Sequence, residues 1–210
     1  MYVYILGALI AYLIGSFSTA FSLSKILKKD IRNGGSGNLG ASNTTLTLGW
    51  KWGVLVGAVD IFKGFIVVFV ARMFFKDYEY LPYIVASMAI IGHIFPFYLK
   101  FKGGKGFATL MGCILGYNPI AFVVAGILVI IITFATDYIV IATLTMLIAF
   151  PVFVGIYTHN IIYALILAIG SLCIFLKHIP NFKKIIKKEE IGIRSSFTKK
   201  RQKSCRSIRR

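Results

Sequence analysis

The chain has 210 residues, of which 58% are hydrophobic and only 15% charged, and its mean hydropathy is +0.81. That balance excludes an ordinary soluble domain and describes a membrane protein. A net charge of +17 would suggest a nucleic-acid partner in a soluble chain, but here 13 of the 24 Lys and Arg lie from Lys177 onward and eight more stand at 25, 28, 29, 32, 51, 100, 102 and 105. Charge gathered between apolar runs reports membrane topology, so no nucleic-acid partner is expected. Cys113, Cys173 and Cys205 are scattered without a paired spacing, which supports neither a disulfide framework nor a zinc site.

Residues 1 to 24 are uncharged and long enough to cross a hydrocarbon core of roughly 30 Å, which takes about 20 helical residues. Positive charge follows this run and does not precede it, so it reads as a retained first helix with its N-terminus outside, not as a cleaved signal peptide. A polar, glycine-rich segment occupies 25 to 51 and contains GGSGNLGASNTT. The second apolar run, 52 to 75, holds Asp60 and Lys63, which three-residue spacing places on one helix face as a structural ion pair; a proton relay is the alternative.

The loop Lys76 to Tyr80 is read as external, and a third run, 81 to 98, returns the chain to the basic side at KFKGGKG. Residues 106 to 136 are uncharged, and Tyr117-Asn118-Pro119 divides them into a short and a longer helix. After Asp137, Tyr157-Thr158-His159-Asn160 divides the next apolar stretch into two helices, ending near 175. The expected fold is therefore an all-α polytopic membrane protein with seven crossings and a cytoplasmic C-terminus. A five-crossing arrangement with 107 to 117 re-entrant keeps the same sidedness. A membrane domain over 1 to 190 is followed by a basic tail, 191 to 210, expected to be disordered against anionic lipid.

Three segments on the basic face carry candidate chemistry. Gly34 to Thr45 is too small and polar to pack as core; its glycines allow amide N–H groups to converge on an anion, Ser36, Asn38, Ser42 and Asn43 add neutral donors, and a helix starting near Ser42 adds its dipole. A plain connector would account for the same composition. In IFPFYLKFKGGKG, Lys102 and Lys105 flank Gly103 and Gly104, an arrangement suited to phosphate, although it is no P-loop because Gly106 and Phe107 follow Lys105. His93, one residue upstream, is a candidate acid/base or phosphate donor, or alternatively an interhelical histidine. Lys177 to Lys184 reads as a membrane-surface segment in which His178 and Asn181 are superfluous.

These segments resemble the motifs of the bacterial integral-membrane glycerol-3-phosphate acyltransferases that use acyl phosphate, the PlsY type. GGSGNLGASN is similar to that family's GSGNxGATN, GHIFPFYLKFKGGKG to GHxFPxFLxFKGGKG, and KHIPNFKKIIKKEE to RHxxNIxRLxxGxE; DIR before the first motif and D-x-x-K-G at Asp60 to Gly64 extend the likeness. The resemblance implies acyl transfer from acyl phosphate to the 1-hydroxyl of glycerol 3-phosphate at a cytoplasmic site of the cell membrane, without a cofactor. It implies that Ser36, Asn38, Ser42, Asn43, Lys105, His178 and Asn181 bind the two phosphates while His93, Gly103 and Gly104 shape the site. A substrate phosphate would take the hydroxyl proton. Three positions depart from the pattern. Leu46 stands where the family has arginine, the hydroxyl-rich segment keeps only Tyr138 and Thr143, and Lys188-Glu189-Glu190 retains the final Glu190 alone. Those departures leave a carrier of a phosphorylated metabolite, or an impaired relative, as the alternative function. The protein is expected to work as a monomer.

Overall fold

A computed structural model describes residues 1–190 together with Gly192 and Arg194. Nine α-helices follow in order: α1 (Tyr2–Ser16), α2 (Thr19–Ile26), α3 (Ala41–Leu48), α4 (Trp50–Phe74), α5 (Leu81–Ile94), α6 (Phe107–Tyr117), α7 (Pro119–Thr136), α8 (Ile139–Thr158) and α9 (Ile161–Ile186), with no strand among the described residues. Six segments are long and apolar enough to cross a membrane: Tyr2–Ile26, Trp50–Phe74, Leu81–Leu99, Pro119–Thr136, Ile139–Thr158 and Ile161–Ile186. The expected short fourth helix is α6, whose 11 residues span only about 16 Å at 1.5 Å per residue.

The first apolar run is not one helix. Ser18 adopts an extended conformation and its hydroxyl accepts from Phe21 N at 3.3 Å, capping α2 and separating it from α1. Backbone groups freed by this break are taken up by other segments: Tyr98 donates to Ser16 O at 2.8 Å and accepts from Ser18 N at 3.0 Å, and Lys63 Nζ donates to Phe17 O at 2.9 Å. Periodicity showed a continuous apolar run here, because long-range donors replace the missing helical bonds without altering hydropathy.

Small residues set the packing. Gly7 lies against Leu81 and Val85, Gly15 against the backbone of Ala89 and Gly92 against that of Tyr12 and Ser16, so α1 and α5 run side by side in the same direction. Gly64, Gly112 and Gly116 do the same for α4 and α6, whose contacts advance together from Gly64 and Thr109 to Arg72 and Tyr117. Gly106, where α6 begins, is therefore level with the middle of α4. Arg72 directs Nη1 to Tyr117 O and, at 3.3 Å, to Gly116 O, closing the far end of α6. Ser87 donates to Ile166 O at 2.7 Å, which fastens α5 to α9.

The main core lies between α4, α5, α6, α8 and α9 and includes Val68, Ile90, Ile94, Leu110, Ile114, Val154 and Ile174. By contrast α7 buries only Ala125 and Thr133 and presents its apolar side chains outward, the pattern of a lipid-facing helix. A second, small cluster of Ala20, Leu23, Ile31, Leu39, Val56 and Leu99 lies beneath the glycine-rich segments.

At the C-terminal end, α9 continues unbroken to Ile186 with Pro180 inside it, where a surface segment after 175 was expected. Most of the tail lies outside the described residues; of those described, Arg194 donates from its backbone N to Asp137 Oδ1 and from Nη2 to Phe134 O, both at 2.8 Å.

Candidate active site

The first glycine-rich segment is braced from within. Asp30 caps a single 3-10 turn, Ile31–Asn33, and pairs with Arg32 at 2.7 Å; hydrogen bonds from Arg32 hold the Asp30 carboxyl below its ordinary range. Asn43 is fully buried, accepting from Ser36 N at 2.8 Å and donating to Ile31 O at 2.9 Å. Its amide is therefore committed to loop shape, whereas Ser36 and Ser42 are exposed at the loop surface and Asn38 is half-buried over Gly40. The expected helix starts at Ala41, after Gly40, and no side chain caps its first amides.

The second segment turns back on the end of α5. Gly103 N donates to Ile94 O at 3.0 Å and Gly104 N to His93 O at 3.1 Å, so these amides satisfy helix-terminal carbonyls. A Cβ on Gly104 would overlap His93 Nε2, and one on Gly103 would overlap His93 O. The glycines are thus required by the close approach of the turn to His93. Leu39 O lies 2.9 Å from the same Gly104 Cβ position, and Leu39 and Leu99 share the small cluster, which joins the two glycine-rich loops.

The third segment completes the group. Lys105 Nζ donates to Asn181 Oδ1 at 2.6 Å, and Asn181 Nδ2 donates to Glu190 Oε1 at 2.7 Å. Burial holds the Lys105 ammonium below its ordinary value, Glu190 opposes that shift and Lys184 adds to it. His178 is buried, its Nδ1 2.9 Å from Ile174 O. Because a carbonyl only accepts, Nδ1 carries the proton there, leaving Nε2 free of that bond.

Two expected residues stand apart from this chain of contacts. Thr143 is buried with its hydroxyl donating to Ile139 O at 3.0 Å, and Lys102 is exposed. Leu46 is 63% exposed and its Cδ1 approaches Gly35 on the side where Asn43 Oδ1 also lies, so the position for which the resemblance implies arginine borders the first loop. Sequence reasoning separated Asp60 and Lys63 from the site, but the structure brings Asp60 Oδ1 to 2.9 Å from Lys63 Nζ and 3.5 Å from His93 Nδ1. Helical spacing predicts the first contact; nothing local predicts the second. Among the described residues no group of three or more His, Cys, Asp or Glu side chains is placed to hold a metal ion.

The fold and site together define an all-α integral membrane protein that gathers neutral and cationic hydrogen-bond donors at one end of its bundle. The chain belongs to the glycerol-3-phosphate acyltransferase family, whose model matches residues 5–188. It is 35% identical over 205 residues to glycerol-3-phosphate acyltransferase 1 of Oceanobacillus iheyensis, covering 94% of this chain and 98% of that one. A glycerol-3-phosphate acyltransferase of Staphylococcus aureus (strain bovine RF122 / ET3-1) is 37% identical over 198 residues, covering 89% and 96%. The crystal structure of PlsY (YgiH), an integral membrane glycerol 3-phosphate acyltransferase, in its glycerol 3-phosphate form superposes with a TM-score of 0.85 at 28% identity, covering 91% of this chain and 96% of that one. Its lysophosphatidic acid form gives 0.82 at 27% identity, covering 90% and 95%.

Proposed function

We propose that this protein transfers a fatty acyl group from acyl phosphate to the 1-hydroxyl of glycerol 3-phosphate. The hydroxyl oxygen forms a bond to the acyl carbonyl carbon, the bond from that carbon to the phosphate oxygen breaks, and the hydroxyl proton leaves on a phosphate oxygen. Lysophosphatidic acid and inorganic phosphate are the products. The observation that carries this reading is the contact of Lys105 with Asn181 and of Asn181 with Glu190, which joins two of the three family motifs in one chain of hydrogen bonds. A lysine with one neutral partner keeps two ammonium protons for phosphate oxygens. Ser36 and Ser42, exposed at the first loop, supply neutral donors, with Asn38 beside them. Asn43 holds that loop and His93 backs the second. His178 and Asn181 present the third motif. No cofactor enters the scheme.

The positive charge gathered around these loops orients the site to the cytoplasm, with the N-terminus outside and α6 as a half-length seventh crossing of the cell membrane. Residues 1 to 190 form the catalytic domain of a monomer, and the basic stretch beyond lies against anionic lipid. Leu46 favours a second reading, in which the acceptor binds weakly or differs from glycerol 3-phosphate. Purified membranes carrying the protein, given palmitoyl phosphate and labelled glycerol 3-phosphate, should yield lysophosphatidic acid and free phosphate. Product no greater than that of a Lys105→Ala control would overturn the enzyme reading and leave the carrier.

A further inference from the structure

We propose that Asp60 is a positioning residue for the acyl transfer, acting through His93, and that Lys63 fastens Asp60 to the break in the first membrane segment. The proposal rests on the acyltransferase reading for its kinetic consequence, but its geometry stands apart from it. Asp60 lies inside a 25-residue apolar helix and is 2% exposed; Lys63 is 4% and His93 7% exposed. Two charges buried at this depth are costly, and a neutral apolar pair would be tolerated if packing were their sole purpose.

Each member has a second partner that an isolated ion pair would not need. Lys63 Nζ reaches past Asp60 to the Phe17 carbonyl, one of the groups released where α1 and α2 separate. Asp60 Oδ1 lies 2.9 Å from Lys63 Nζ and 3.5 Å from His93 Nδ1, and that nitrogen is fully buried without a hydrogen bond to any described residue, so the carboxylate is the charged group it faces. A carboxylate this close attracts a proton-bearing edge and repels a lone pair, so its charge favours the neutral imidazole with its proton on Nδ1. The opposite edge, Nε2, then carries the lone pair and lies against Gly104, on the side of that glycine that Leu39 O also approaches. Asp60 thereby sets both the tautomer and the plane of the ring on which the Gly103-Gly104-Lys105 turn rests. A rotated or inverted imidazole would shift the backbone one residue before Lys105, and small displacements of a phosphate-binding group act strongly on turnover.

The test uses the full-length protein in detergent. Asp60→Leu with Lys63→Gln removes both charges together while keeping a donor for Phe17 O, so neither ion is stranded. Nitrogen-15 NMR of the three histidines, assigned with His159→Gln and His178→Gln, reads the tautomer without any assay of activity. The parent should show His93 protonated on Nδ1, and the double variant should lose that state. Its melting temperature should stay close to the parent's and its KM for glycerol 3-phosphate should change little, while kcat falls at least about tenfold. Parent-like kcat in the double variant, or a parent His93 protonated on Nε2, would overturn the proposal. An inactive parent with the Nδ1 tautomer would instead count against the acyltransferase reading and leave the positioning geometry standing.

Discussion

Lys105 donates to Asn181 across 76 positions of sequence at 2.6 Å, tying the turn after α5 to the last turns of α9. Asn181 in turn holds Glu190, so the ammonium reaches its place through two hydrogen bonds and not through a salt bridge. Replacing Lys105 by Ala should lower turnover at least about tenfold, the lower limit for losing a charge-assisted contact of about 1.5–3 kcal/mol. Phosphate release from palmitoyl phosphate measures it, and Ser36→Ala should behave alike. Cys113, buried in the core with Sγ 3.8 Å from Ala86 O, serves as the control, since Cys113→Ala removes no site contact.

Lys105 also sets a pH dependence. Burial lowers its pKa from the ordinary 10.5, so the amine loses its proton earlier as pH rises. The alkaline limb of kcat/KM should therefore fall below that value, and bound phosphate should move the limb of kcat upward by favouring the charged form. Lys105→Arg should remove the limb from the accessible range. For stability the sign runs the other way: between the folded and unfolded pKa values the unfolded chain binds more protons, so this group's contribution rises with pH.

Leu46 approaches Gly35 of the first loop, at the position for which the family resemblance implies arginine. Leu46→Arg should lower the KM for glycerol 3-phosphate by about tenfold or more, the equivalent of regaining a charge-assisted contact of about 1.5–3 kcal/mol. An unchanged KM in initial-rate measurements would show that other cations of this site already do that work.

Gly104→Ala places a methyl group against His93 Nε2 and 2.9 Å from Leu39 O. Overpacking of this kind typically costs about 1–3 kcal/mol, and here it also displaces the backbone that carries Lys105. A lower melting temperature together with lost activity is expected, whereas Lys102→Ala, at an exposed position, should leave the melting temperature unchanged.

Tyr98→Phe tests the break in the first segment. Its hydroxyl donates to Ser16 O and accepts from Ser18 N, and without it both backbone groups lose their partner. Thermal unfolding in detergent should report a loss of about 1–3 kcal/mol.

Much of the architecture was legible from hydropathy. The apolar runs ended at Asn118-Pro119 and at His159-Asn160 because those residues start the next helices as caps, with Asn118 Oδ1 and Asn160 Oδ1 accepting from amides of the following turn. Two features were not legible. The break at Phe17 and Ser18 is satisfied by Tyr98 and Lys63, which are remote in sequence. The extension of α9 through Pro180 depends on packing that buries His178, a residue whose local pattern looked like a membrane-surface segment.

By itself the sequence determined the membrane class, the main apolar runs, where positive charge falls between and after them and the three motifs, because hydropathy, turn chemistry and residue type are local properties. Tertiary structure decided what those motif residues do. Asn43 was a candidate phosphate ligand by type, and Gly103 and Gly104 were expected to shape the site, yet the folded loops engage the Asn43 amide with Ser36 and Ile31 and the glycine amides with Ile94 and His93. Lys105 gained Asn181, and His93 gained Asp60, only when α4, α5 and α9 came together. A buried donor takes whichever acceptor the fold brings within reach, and sequence spacing carries no record of that choice beyond one helical turn.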